Sequence, residues 1–268
     1  VAAYGASGLP MVLTLDLVEI DGTGTEVRRG ARHAVAVTGY RDDGPMTELA
    51  PDFRLASTSL TRLYVHDDQV GPFARMTFDG KVVRLTKPLE AYPSGIAPSL
   101  ATSWVPGPGA TEVRAVPDLL ILPLYRKMRI DFARVLSCGG ELSVLLRYAL
   151  QTIGANNAIH AWRLEISRTT DVKAEVINAS AITSPERRRL LVTPMPRYVW
   201  RIVALDAAES PLFTVLLDST DLAQGILTVA VLRQSAFARN EVAIASSVLV
   251  QGNQRPSVPV LRALELLR

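Results

Sequence analysis

Apolar and polar residues alternate along most of this chain, and a period of two is the mark of a half-buried strand. In Met11-Val-Leu-Thr-Leu-Asp-Leu-Val18, Leu13, Leu15 and Leu17 fall on one face, with Thr14 and Asp16 on the other. Asp21-Gly-Thr-Gly24 then supplies turn chemistry. Residues 33–40 repeat the pattern and close on Arg41-Asp-Asp-Gly-Pro45, and residues 60–66 form a third run. Between Ala74 and Leu85, two apolar runs flank Asp79-Gly80. That pair predicts a two-residue hairpin, because both central residues of such a turn need positive φ.

Strand patterns resume at 119–125, 128–136, 141–150, 159–167, 172–178, 198–205, 212–217, 226–232 and 241–250. Around Ser137-Cys138-Gly139-Gly140-Glu141, Met128, Ile130 and Phe132 alternate before the glycines, and Leu142, Val144, Leu146 and Tyr148 alternate after them. The glycine pair therefore reads as a strand reversal. Trp162, Leu164 and Ile166 share one face, opposite Arg163 and Glu165. Helix signals are few. Ser184-Pro185-Glu186 suits a short helix with Ser as N-cap and Pro in its first position, and residues 219–224 suit a single turn. About fourteen strand candidates separated by turns predict an all-β protein. The expected form is a jelly-roll β-sandwich or barrel with extra loops and hairpins and few short helices. Division into two sandwiches near residues 151–157 is the alternative.

One barrel domain is expected over residues 11–258, with an excursion inside it and a separate segment at each end. Residues 1–10 hold too few apolar side chains to fold alone and are expected to be ordered by a neighbouring subunit. Residues 86–117 carry Pro88, Pro93, Pro98, Pro106, Pro108 and Pro117, each without an amide donor. They predict a long surface excursion anchored by Tyr92 and Trp104. Residues 259–268 predict a C-terminal docking helix with Leu261, Leu264 and Leu267 on one stripe, seated on its own domain rather than on a partner.

Composition narrows the classes. Hydrophobic residues are 48% and charged residues 21%, the balance of a soluble globular chain. The net charge of +3 comes from 29 basic and 26 acidic residues that are mostly scattered, with Arg187-Arg188-Arg189 the densest cluster. No concentrated basic patch points to specific nucleic-acid binding. A single cysteine excludes an internal disulfide framework and implies no oxidising compartment. Apolar runs such as Leu119-Leu-Ile-Leu122 are far shorter than a membrane span, and residues 1–5 lack the charged and apolar regions of a signal peptide. Many prolines with little Cys and Met suit a heat-tolerant protein.

Candidate chemistry is sparse. A catalytic thiol at Cys138 would need a nearby base, and His33, His66 and His160 lie far apart in sequence. His66-Asp67-Asp68 is the only local group of metal-ligand type, and it reads as a solvated turn at a strand end. Glu165, Glu175 and Asp131 could pair as glycosidase carboxylates, but each alternates with apolar residues like an ordinary outward-facing strand charge. Trp104, Trp162 and Trp200 could form a sugar platform, although the last two fit a core. Gly22, Gly24 and Gly30 lack the Lys-Ser/Thr and following helix of a phosphate loop. No catalytic, cofactor-binding or metal residue is assigned, and neither a cofactor nor a small-molecule substrate is expected.

The strand pattern of nearly the whole chain, the arm at 1–10, the proline-rich 86–117 and the Arg-rich, Cys-poor composition resemble a viral coat protein. The family is the larger single-jelly-roll major capsid protein of tailless, membrane-containing icosahedral bacteriophages of thermophiles. The resemblance implies a non-enzymatic virion protein, assembled in the host cytoplasm. Its implied partners are copies of itself, a second coat protein and an internal lipid membrane surface. A carbohydrate- or receptor-binding β-sandwich module and a hydrolase on a β scaffold are the other two readings.

Overall fold

A computed structural model describes residues 1–220, 228–252 and 255–268. The expected turn at 219–224 and the start of the 226–232 strand lie largely outside them. In chain order the elements are α1 (Ala2–Gly5), β1 (Met11–Ile20), β2 (Glu26–Arg41), β3 (Glu48–Ala50), β4 (Phe53–Arg54), β5 (Arg62–Asp67), β6 (Gly71–Arg84), β7 (Ile96–Ala101) and β8 (Glu112–Ile121). There follow α2 (Phe132–Thr152), β9 (Ala161–Arg168), α3 (Thr169–Asn178), α4 (Ser184–Val192), β10 (Tyr198–Leu205), β11 (Pro211–Asp218), β12 (Thr228–Arg233), α5 (Ala243–Gln251) and α6 (Val258–Leu267). Strand residues outnumber helical ones, 39% to 29%. No helix of the described residues is long and apolar enough to cross a membrane.

The chain divides into two compact units where the sequence predicts one barrel over 11–258. One comprises Val1–Gly44 with Leu60–Pro123, the other Pro45–Ser59 with Leu124–Arg268. The first unit is a closed barrel in the order β1-β2-β5-β6-β7-β8, with every neighbouring pair antiparallel. Each strand pairs with the next one of the unit, and β8 returns to β1 through Val12–Ile121. This is an up-and-down order, which corrects the jelly-roll expectation, since a jelly roll interleaves its strands as Greek keys. Alternation fills the interior with Leu13, Leu15, Val35, Val37, Leu63, Val65, Met76 and Leu100, all buried.

Three expectations change within this unit. β6 continues through Asp79-Gly80 as one strand, and its register with β7 slips between Phe78 and Val82. Gly80, at φ 75°, thus serves a bulge instead of a hairpin turn. The proline-rich stretch supplies β7 and most of β8 and closes the barrel, with Pro98 paired to Val82 and Pro117 to Leu15. Pro117 sits where the β1–β8 register shifts, a position that tolerates a missing donor. The arm folds onto its own unit: Ala3 and Tyr4 of α1 are buried, and Gly5 lies against the Tyr40 ring.

The second unit is a four-stranded antiparallel sheet, β12-β11-β10-β9, with helices on both faces. All eight residues of β10 are buried. Val199, Leu216, Ala230 and Leu232 pack with Val172 and Val176 of α3 and Leu190 of α4. On the opposite face the Trp200 ring meets Phe132 of α2, and its Nε1 donates to the Ile130 carbonyl at 3.0 Å. The two strands predicted across 128–136 and 141–150 are instead largely the 21-residue helix α2. Asp131 caps it by accepting the Arg134 amide at 2.9 Å. Val135, Cys138, Leu142, Leu146 and Ala149 are buried at helical spacing, whereas Val144 and Tyr148, expected beside Leu142 and Leu146, face solvent. The segment is rich enough in apolar residues to satisfy both periods, and its Leu, Arg, Glu and Ala content favours the helix.

Residues 172–178 and 241–250 are likewise helical, the second beginning with a π-helical turn at Ala238–Val242. The Ser184 helix forms, with Thr183 in place of Ser184 at the N-cap position. The C-terminal helix α6 seats Val260, Ala263, Leu264 and Leu267 within its own unit.

Candidate functional site

In the barrel, two inward-facing rows end in polar side chains. His33 continues the row of Val35 and Val37 on β2 and lies opposite Leu15, and Asp67 continues the row of Leu63 and Val65 on β5. The His33 side chain is 10% exposed and that of Asp67 1%. His33 Nε2 is 3.2 Å from Asp67 Oδ2 and 3.6 Å from Oδ1 of the exposed Asp68. The nitrogen is buried, yet no neighbour meets hydrogen-bond geometry with it. The Trp104 indole stands edge-on to the His33 ring, with centroids 5.5 Å apart, and its Nε1 donates to Asp67 Oδ2 at 3.3 Å.

The other oxygen of Asp67 is already committed. Oδ1 accepts the amides of Gln69 at 2.9 Å and Val70 at 3.1 Å, which fixes the carboxylate plane as β5 turns. Burial opposes ionisation of Asp67, but these two amides and then the nearby His33 outweigh it and hold the carboxyl below its usual range. A firmly ionised carboxylate thus faces an imidazole nitrogen, with a second carboxylate at the solvent edge.

This grouping differs from the sequence cluster His66-Asp67-Asp68. Successive strand residues point to opposite faces, so His66 turns outward and packs edge-on against Phe73, with ring centres 5.3 Å apart. His33 takes its place from the neighbouring strand. Its parity with Val35 and Val37 is the signal that could have found it.

The other candidates take structural positions. Glu165 and Glu175 do converge, but on a guanidinium: Arg201 Nη1 is 3.3 Å from Glu165, and Nη2 is 2.9 Å from Glu175. Arg201 and Glu165 are buried, so each ion neutralises the other on the face that also carries Thr214 and Gln234. Asp131 is the helix cap. Trp162 and Trp200 are core, at 1% and 0% exposure. Arg187, in the densest basic cluster, donates to the carbonyls of Val176, Ala179 and Ile182 and so closes the end of α3.

Cys138 is buried midway along α2, away from any turn. Burial, then the Glu141 charge, push its thiol up to about 11. A nucleophilic cysteine needs the opposite shift. This corrects the expected reversal at Cys138, and the physical reason is the helical phase of α2.

Sequence reasoning missed a cleft in the second unit. It encloses about 490 Å³ beside Tyr125, Arg197 and Tyr198. The two tyrosine rings stack with centroids 5.1 Å apart, and the Arg197 guanidinium carbon lies 5.2 Å from one ring centre and 5.8 Å from the other. Arg126 and Lys127 add positive charge at its edge. Comparison with protein-family profiles, curated proteins and solved structures finds no match.

Proposed function

We propose that this protein acts by association, as a major capsid protein that binds copies of itself and a second coat protein in a virion shell. The observation that carries the proposal is on the second unit. Val144 and Tyr148 of α2 are 44% and 56% exposed, and Ile244 and Val248 of the neighbouring helix α5 are 56% and 38% exposed. Each pair is one helical turn apart, so two packed helices each turn an apolar row to solvent. Such surface is the material of subunit interfaces. A net charge of +3 opposes self-association only weakly. The role is non-enzymatic, and the high Cys138 pKa, about 11, supports it by removing the thiol as a nucleophile at neutral pH.

The proposal rests on surface rather than on the jelly roll of the family it resembles, because the barrel here is up-and-down. The test is light scattering and negative-stain electron microscopy of the full chain across concentration and salt, with Val144→Glu and Ile244→Glu beside it. Concentration-dependent oligomers that both substitutions weaken support the role. A strict monomer under all conditions overturns it.

The Tyr125–Tyr198 cleft favours a second reading, a carbohydrate- or receptor-binding module. Its aromatic and cationic lining suits a sugar or acidic ligand. Saturable glycan binding by a stable monomer, lost in Tyr125→Ala, is the outcome that selects it.

A further inference from the structure

We propose that His33 Nε2, Asp67 Oδ2 and Asp68 Oδ1 form a binding site for a divalent first-row transition metal, with Zn²⁺ the best-matched ion. The three ligand atoms lie within 4.8 Å of one another, and the two imidazole–carboxylate separations are 3.2 and 3.6 Å. Zinc binds nitrogen and carboxylate oxygen at about 2.0–2.2 Å, which puts tetrahedral ligand atoms roughly 3.3–3.6 Å apart. The two imidazole–carboxylate separations are close to that span, so a small side-chain adjustment would bring the three groups onto one ion.

A buried imidazole nitrogen, on a side chain 90% removed from solvent, faces both carboxylates without satisfying its hydrogen-bonding capacity. A metal ion supplies the missing partner. The surroundings are those of a prepared ligand set. Asp67 is oriented by the Gln69 and Val70 amides on one oxygen and by the Trp104 indole on the other. Outer hydrogen bonds of this kind fix ligand geometry in metal sites. Asp68 sits at the exposed edge, its side chain 78% accessible, and gives the ion an entry path. Water completes the coordination there. One imidazole with two carboxylates suits Zn²⁺ or Mn²⁺ better than Ca²⁺, which takes six to eight oxygens.

The test is calorimetric titration of chelator-treated full-length protein with ZnCl₂, with CaCl₂ as control, followed in parallel by tryptophan emission. Trp162 and Trp200 are buried in the other unit, so a metal-linked change in emission reports Trp104. The expected result is one Zn²⁺ per chain, at least 10-fold weaker binding in Asp68→Ala and in His33→Gln, and loss of the emission change, but not of binding, in Trp104→Phe. Asp68 is exposed, so its variant keeps the fold and the comparison valid. Absence of saturable Zn²⁺ binding up to millimolar concentration overturns the proposal. Zn²⁺ affinity unchanged in Asp68→Ala overturns it equally, by placing the ion elsewhere.

Discussion

Arg114 and Asp79 meet through two parallel hydrogen bonds, Nη1 to Oδ2 at 2.8 Å and Nη2 to Oδ1 at 2.5 Å, with the Arg114 side chain wholly removed from solvent. Glu112 adds a third contact at 2.6 Å, and Nε donates to Ser99 Oγ at 3.1 Å. The Asp79 carboxylate stands on the β6 bulge, so the residue pair read from sequence as a hairpin turn instead delivers the counter-ion for a buried cation.

This arrangement is asymmetric. The side chains of Asp79 and Glu112 are 29% and 32% exposed and can take up water, whereas Arg114 cannot. Asp79→Ala should therefore destabilise by about 3 kcal/mol, more than Arg114→Met, which removes the buried charge itself. Urea unfolding of both variants measures the order. Equal losses, or a larger loss for Arg114→Met, contradict this reading of the network.

Acid should unfold the barrel through the same carboxylates. The Arg114 bond holds Asp79 below its ordinary 3.8, and the Gln69 and Val70 amides outweigh burial to do so at Asp67. A carboxyl whose folded pKa is depressed contributes stability that is complete above the unfolded value and is lost as pH falls through the folded one. Stability followed by circular dichroism should thus be flat above about pH 5 and decline below pH 4, with a shallower decline in Asp79→Asn.

Gly139 and Gly140 distinguish helix from turn. Neither has positive φ, and a Cβ at Gly139 would meet Leu164 at 3.4 Å and Phe53 at 3.6 Å, ordinary van der Waals distances. At Gly140 the nearest atom is Phe53 Cε1 at 3.9 Å. Gly140→Ala should stabilise by about 0.5–1 kcal/mol, the advantage of alanine inside a helix. A hairpin with left-handed glycines would lose stability on the same change, so thermal melting decides between the two structures.

Cys138 should be inert in the folded protein. With the thiol pushed up to about 11, only roughly one part in a thousand is thiolate at pH 8, and the sulfur is buried. Reaction with a disulfide reagent should be slow in buffer and complete within minutes in urea. Fast labelling of the native protein would place the residue at a surface.

Much of the strand content was legible because alternation is a local signal. β1, β10 and β11 coincide closely with their patterns, and Trp162 and Trp200 are core as their alternation requires. The helices were harder. In α2 the residues Leu142, Val144, Leu146 and Tyr148 satisfy a period of two, while Val135, Cys138, Leu142 and Leu146 satisfy 3.6, and helix propensity together with the layer packed beneath them selects the second. Residues 172–178 carry the same ambiguity, with Val172 and Val176 one helical turn apart and both buried.

The candidate site shows the same division. The sequence by itself marked His66-Asp67-Asp68 as the local group of metal-ligand type and read it as a solvated turn; β5 instead runs on to Asp67, whose side chain is buried while His66 is exposed. Tertiary structure alone decided that His33, 34 positions before Asp67, lies across from it, because pairing of β2 with β5 is a long-range event that no local window contains. It likewise decided that the barrel closes in up-and-down order and that the proline-rich segment completes it. Strand order depends on which edges meet once loops have closed, and the side-chain pattern of a strand is the same beside any partner.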